Sequence, residues 1–479
     1  MKLKITLIIF CTIVINSAIA KKNTFIQIQV NKTLALLAFV ETANGSQSVS
    51  LSFKNFIDKK LGNSDAFQKL IKRYHALKLE FKYELEGYPN SRHAYKNTKD
   101  FIWIAASNAS DLDDLSERIL GYLPYETHLE LIEVLRQIEP YYDELVWKKT
   151  KKQSKRIVKQ LSAYSNKIEA LFLQISHFLG SSWSKQTPFK VMLYPIPLKQ
   201  GHTTAIPKGN ALIVGFLSEN KHDYKNRLGI IVHEMVHILY AAQPVQLQNN
   251  IDKWFKQSQS AYAKLAYNFI NEGLATAIGN GWAYQQINGK IDSEEWYNNP
   301  HINGFAHAIF PAVSNQLKNT KIINQEFIQN SITVFKNTFP KAIDETQMLF
   351  NGFNLFANIQ DQEIPQLQKP LFKHFNIRSM WLYTPINDPK SLESMQVKRT
   401  TKLFIITNNN QTNLNFLRKQ FTTIPEKLDT TSNFIYSLKH QDSKSTIVII
   451  NIESLDKLEA VIKQLAQEKY LKLGLQTTQ

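Results

Sequence analysis

Cysteine is almost missing from this chain, since among 479 residues only Cys11 carries a thiol. No intrachain disulfide can form, so stability must come from ordinary core burial, which a chain of this length can supply. Glycine and proline are scarce at 16 each. Neither a phosphate-binding glycine loop nor an internal repeat is present. Long apolar runs are also missing: the run Ile5–Ile15 is the most obvious one, and it falls well short of the roughly 20 residues needed to span a bilayer. Acidic residues are the minority, 40 against 57 Lys and Arg.

What is present begins with Met1-Lys2-Leu3-Lys4, the apolar run, and Asn16-Ser17-Ala18-Ile19-Ala20. A basic start, a short apolar core and an A-x-A ending describe a secretory signal peptide cleaved after Ala20. The expected mature chain starts at Lys21, has no membrane span, and is periplasmic or secreted. Cys11 follows the bulky Phe10 inside the apolar core, which argues against a lipoprotein signal. The lack of disulfides fits a bacterial envelope better than a eukaryotic secretory route, so the sequons at Asn31, Asn44, Asn108 and Asn410 read as chance matches.

Removing Lys2 and Lys4 leaves 55 basic against 40 acidic residues. The densest basic run is Lys148, Lys149, Lys151, Lys152, Lys155, Arg156 and Lys159. Apolar residues follow at helical spacing from Ile157 to Phe178, so the run reads as the solvated start of an amphipathic helix. No recognition motif accompanies the charge, and nucleic-acid binding is not expected.

Residues 21–180 read as a mainly helical N-terminal region, with one helix opening near Ser110 and a stop at Gly180. Phe189–Tyr194 and Asn210–Phe216 read as strands, followed by helical periodicity from Leu228 to Leu239 and again between Ile251 and Ile278. Thr384-Pro385-Ile386-Asn387-Asp388-Pro389 marks a boundary, and 391–479 alternates strand and helix as a small C-terminal α/β domain. The expected fold class is α+β, with a catalytic region over 181–390.

The chemistry lies in Val232-His233-Glu234-Met235-Val236-His237-Ile238. Two histidines four apart share one helical face with Cβ atoms roughly 5–6 Å apart, so both imidazoles can reach one zinc ion. Glu234 is placed to take a proton from water activated by the metal. A chance H-E-x-x-H is expected in only about one to two of a hundred chains of this composition. A catalytic zinc needs a third protein ligand. The extended motif with a third histidine fails, because Tyr240 and Gln243 occupy its Gly and His positions. Between Ile238 and Asn271 the only acid is Asp252, which reads as a helix cap. Next comes Asn271-Glu272-Gly273-Leu274-Ala275, a carboxylate followed by small residues that would let its helix pack closely on the metal helix.

Together His233-Glu234-x-x-His237 and Asn271-Glu272-Gly273-Leu274-Ala275 resemble the gluzincins, which include the thermolysin-like enzymes and the zinc aminopeptidases. The resemblance covers about residues 189–280. It implies a zincin-like core of a small mixed sheet with metal-binding helices, Glu272 as third ligand, and an edge strand, expected at Asn210–Phe216, for pairing with an extended peptide. The 34 residues between His237 and Glu272 exceed the spacer of both named families, so the chain is assigned to neither. Thr276 stands where a thermolysin-like enzyme has an acid, which leaves open what orients a ligand histidine. For the oxyanion, Tyr284, Tyr297, His301 and His307 are candidates, and His202 can line the cleft; each also has an ordinary structural reading.

The expected function is therefore an exported zinc metallopeptidase acting on a peptide or protein substrate. The alternatives are a catalytically silent envelope protein of the same fold, or a binder of anionic surfaces. Oligomeric state is not legible.

Overall fold

The computed structural model describes residues 25–46, 50–89, 92, 95–441 and 444–478. The expected signal peptide and Lys21 lie outside these residues. The fold is mixed α and β, consistent with α+β, and carries two main sheets and a small hairpin.

The first sheet has the order β1-β4-β6-β5, from β1 (Ile26–Val30), β4 (Phe189–Ile196), β6 (Ala211–Leu217) and β5 (Ala205–Lys208). The hairpin pairs β2 (Lys82–Glu84) with β3 (Tyr95–Asn97). β1, β4 and β6 run parallel, while β5 is antiparallel to β6 and forms an edge. The strand expected as the edge, Asn210–Phe216, is thus interior, and Ala205–Lys208 takes that place. Pro207 suits an edge, since it has no N–H to donate to a ladder.

Alternation builds two cores around this sheet. Phe189, Val191, Leu193, Leu212, Val214 and Phe216 enter one core, and Met192, Tyr194, Ile196, Ala211, Ile213 and Leu217 enter the other. Successive strand residues point to opposite faces, and a mostly parallel sheet needs both faces covered. The second core holds the helices Lys32–Ala43, Leu51–Leu61, Asp65–His75 and Tyr125–Tyr142. The first holds Ser165–Leu179 and the helices that carry the histidine and NEGLA motifs. The N-terminal region and the expected catalytic region therefore share one sheet, and position 180 does not divide two bodies.

The basic run differs from its expected place. Helix Tyr125–Tyr142 continues through a π-helical turn, Asp143–Trp147, into Lys148–Ser162, so the lysines lie in mid-helix. They remain solvated, with Lys148, Lys149, Lys151, Lys152, Lys155 and Lys159 all exposed while Thr150, Ser154, Ile157 and Leu161 face inward.

The second sheet has the order β12-β10-β11-β9-β7-β8. Its strands are β7 (Gly352–Ala357), β8 (Ser379–Tyr383), β9 (Thr401–Ile406), β10 (Phe434–His440), β11 (Ser445–Asn451) and β12 (Gly474–Thr477). Helices Ile364–His374 and Leu458–Gln467 cover one face, and Asn410–Gln420 covers the other. β7 and β8 pair in parallel across helix Ile364–His374 and belong to this sheet, so the C-terminal body starts near Gly352, ahead of the boundary expected at 391. The Pro-rich stretch at 384–389 is only the connection from β8 to helix Pro389–Gln396.

Among the described residues no single helix is long and apolar enough to cross a membrane; the pair Arg227–Ala241 and Val245–Gln257 passes only together and is bent by 95°.

Candidate metal centre

Helix Asp223–Ala241, here the histidine helix, follows β6 and lies on one face of the first sheet. Leu228, Ile231, Val232, Met235, Val236 and Leu239 are buried at helical spacing, and this apolar face fixes the rotation of His233, Glu234 and His237. Arg227 anchors the helix start. Its buried guanidinium donates to the Gly215 carbonyl (3.1 Å) and to the Thr203 hydroxyl, on the segments flanking β5. At the other end the Arg92 guanidinium lies 3.5 Å from the Tyr240 ring centroid and donates to Gln243 (2.9 Å).

The residues expected to form one helix or two between 251 and 278 form two. Helix Val245–Gln257 ends at Ser258, and helix Ala263–Thr276, here the glutamate helix, carries the NEGLA segment. The latter runs on as a π-helix over Ala277–Ala283. π-turns inside helices are often found at functional sites.

His233, His237 and Glu272 converge as a group that could hold a metal ion, their ligand atoms all within 4.8 Å of one another. Glu272 Oε2 lies 3.6 Å from Nε2 of each histidine, and the two Nε2 atoms are 3.2 Å apart. The side chains are largely buried, at 11%, 15% and 17% exposure. Glu272 Oε2 is buried without a hydrogen-bond partner, a costly state for a carboxylate oxygen unless something else binds it. Its donor set fits a metal.

The orientation left open by Thr276 is supplied by Asn271. The Asn271 Oδ1 lies 3.0 Å from His237 Nδ1, so that an Nδ1–H donating to it leaves Nε2 as a lone pair toward Glu272. Asn271 was visible only as the neighbour of Glu272; the signal that could have found it is the need of a ligand histidine for a partner on its far nitrogen. Thr276 itself is fully buried and its hydroxyl has no partner.

The glutamate helix packs on the histidine helix as expected, but Gly273 faces another neighbour. A Cβ on Gly273 would lie 2.7 Å from Phe305, on helix Pro300–Lys318, so this glycine admits a close approach to that helix. The contact with the histidine helix falls at Gly279, where a Cβ would stand 2.8 Å from both Cα and N of His233. Sequence reasoning missed Gly279.

The electrostatics follow from crowding. Burial raises the pKa of Glu234 above the ordinary carboxylate value; both histidines oppose this and Glu272 adds to it. Burial pushes His237 down, but Glu272, Glu234 and Asn271 together outweigh it and raise the imidazole. Glu272 also suffers desolvation, yet His233, His237 and Arg378 hold its carboxyl far below the usual range. Arg378 Nη2 donates to Glu272 Oε1 at 2.9 Å.

Among the oxyanion candidates only Tyr297 meets the cluster. Its ring stacks on His233, with centroids 6.0 Å apart, and its hydroxyl is pushed up to about 12 by burial and the charges of Glu272 and Glu234, against Arg378. His301 pairs with Glu345 at 2.8 Å, and His307 stacks on Trp296 at 3.8 Å. Tyr284 opens the short helix Tyr284–Asn288, and His202 is exposed in a loop tied by its backbone to Ser50 and Ser52. Asp252 is not a cap. It sits inside helix Val245–Gln257, outside the metal group, and pairs with Lys256 at 2.7 Å.

No known protein family, curated protein or solved structure matches the chain.

Proposed function

We propose that the chain is an exported zinc metallopeptidase of gluzincin type, with zinc held by His233, His237 and Glu272. The observation that carries this reading is the convergence of two imidazole nitrogens and one buried carboxylate oxygen without a hydrogen-bond partner, with Glu234 next in sequence to one of them. Zinc bonds of about 2.0–2.1 Å in a tetrahedron separate ligand atoms by about 3.3–3.4 Å. The separations of 3.2, 3.6 and 3.6 Å bracket that spacing.

When bound, zinc supplies Lewis acidity at the scissile carbonyl and lowers the pKa of the attacking water. Glu234 takes the proton of that water and passes it to the leaving amine. Its raised pKa brings it closer to what a base needs near neutral pH. Asn271 keeps His237 in the ligating tautomer. Tyr297 stays protonated, since its hydroxyl titrates near 12, and serves as the donor to the oxyanion. An extended peptide adds to the free side of β5, the antiparallel edge strand that precedes the histidine helix.

The test is metal analysis of the purified protein together with digestion of a peptide library, on material whose N-terminus has been sequenced. Near one zinc per chain, cleavage abolished by chelation and restored by zinc, and a start at Lys21 support the reading. Zinc without cleavage of any peptide refutes the peptidase assignment, and no metal uptake refutes the site.

A further inference from the structure

The glutamate helix is gripped by the C-terminal body at both ends. Before its start, Arg399, in the turn leading to β9, donates to the carbonyl of Ser258 and approaches Gln259 at 3.5 Å. Farther along, Asn268 and Glu272 are four apart and share one helical face. Asn268 meets the backbone at the start of β7, where a Cβ on Gly352 would lie 2.6 Å from the Asn268 amide nitrogen. Glu272 meets Arg378, the residue just ahead of β8.

Arg378 is itself fixed from below. Its backbone N–H donates to the Asn351 carbonyl (2.8 Å), and the Asn351 side chain donates to the Asn376 carbonyl (2.8 Å). This short brace lies at the paired starts of β7 and β8, where Gly352 is in register with Ser379. The guanidinium therefore projects from a sheet, not from a free loop. It takes one oxygen of Glu272, Oε1, and leaves Oε2 facing the two imidazoles.

From this division of the two oxygens we infer that Arg378 is a positioning residue of the metal centre, by which the C-terminal body holds Glu272 as a one-oxygen ligand. The inference rests on the metal-site reading above. An unrestrained carboxylate can rotate or offer both oxygens to a metal; one whose Oε1 is occupied by a guanidinium offers only Oε2. The orienting partners of metal ligands typically affect metal affinity by about 10–100-fold when removed.

The test compares full-length wild type with Arg378→Gln, Arg378→Lys and Arg399→Gln, measuring zinc affinity by chelator competition and the visible spectrum of the cobalt-substituted protein. Arg378→Gln should bind zinc about 10–100-fold more weakly. Its cobalt spectrum at saturation should move toward the weaker bands of higher coordination, because the freed carboxylate can engage through both oxygens. Arg378→Lys, which keeps a cation near Oε1, should recover part of the affinity. Arg399→Gln removes a docking contact of the same body without touching Glu272, and should keep both wild-type affinity and spectrum. If wild type binds zinc and Arg378→Gln matches it in affinity and spectrum, the inference is overturned while the metal site stands. If Arg399→Gln loses as much as Arg378→Gln, the effect is one of docking and the inference is again overturned. A wild type that takes up neither zinc nor cobalt overturns both.

Discussion

The four-stranded and six-stranded sheets are each covered by helices on both faces, yet the helices and strands around them bury charge in different ways. Beside the first sheet, Glu234, Glu272, His233 and His237 face one another: both histidines oppose the burial-driven rise of Glu234 and hold Glu272 down, and Glu272 raises His237. In the second, Lys402 on β9 is fully buried and, among the described residues, donates to neutral acceptors, the Val397 carbonyl (2.7 Å) and the Ser445 hydroxyl (2.8 Å). Burial alone lowers its pKa to about 8. A cluster of mutually perturbing groups around an unsatisfied oxygen suits a ligand, whereas an isolated buried cation is a cost to the fold.

The contrast breaks most sharply at Glu234. Glu234→Gln removes the proposed base and leaves both imidazoles and Glu272, so hydrolysis should fall by about 10²–10⁴-fold while zinc stays near one per chain. Unchanged turnover would end the proposed mechanism. Next in size is the proposed ligand: Glu272→Ala should lower zinc affinity as well as activity, whereas Asp252→Ala, on another helix and paired with Lys256, should leave both nearly intact. Equilibrium dialysis separates the two variants, and wild-type zinc affinity in Glu272→Ala would remove Glu272 from the site.

The isolated cation gives a third test, read in stability. Its folded pKa of about 8 lies below the ordinary 10.5, so between those values the unfolded chain binds more protons than the folded one. Stability should therefore rise as pH goes from about 8 to 10.5, with the full penalty present below that window. The gap corresponds to about 3 kcal/mol for this group. Denaturant titrations of wild type and Lys402→Met across the window should differ by this rise, and parallel pH curves would show that Lys402 carries no such penalty. The smallest expected effect is at Gly279. Gly279→Ala forces a Cβ against the His233 backbone and should destabilise the fold by about 1–3 kcal/mol, with some loss of metal affinity. A variant with wild-type melting and affinity would mean that the two helices can separate without consequence.

Much of this architecture was legible in local pattern. β4, β6, β9, β10 and β11 follow apolar runs bounded by turn residues, and the histidine helix follows its periodicity. H-E-x-x-H and the later glutamate can be read because helical spacing brings their side chains to one place. What could not be read is pairing at long range. β5 is four residues containing a proline, with no alternation to reveal it, so the neighbouring strand β6 is the more visible candidate for the edge. β7 and β8 join the C-terminal sheet by parallel register, which no local pattern records, so the Pro-rich stretch at 384–389 is the more visible break although it lies inside that body. Arg378 is 106 residues from Glu272, and Gly279 matters only because His233 lies against it.

The spacer between the two motifs has a consequence for how such a chain can vary. Helix Val245–Gln257 forms its middle and packs against helices Gln325–Thr338 and Ala263–Thr276 while contributing no ligand. Residues 258–262, between it and the glutamate helix, form a loop held by the C-terminal body. The distance along the chain from His237 to Asn271 is therefore set largely by an excursion that supplies core packing and no ligand, whereas the tight unit is Asn271, Glu272 and Gly279 on one continuous helical rod. Kin of this protein are better sought by that rod, an Asn-Glu pair followed seven residues after the Glu by a glycine, than by the interval that separates it from H-E-x-x-H. Insertions should collect in the excursion and be excluded from the rod, where one added residue would turn Gly279 about 100° away from His233.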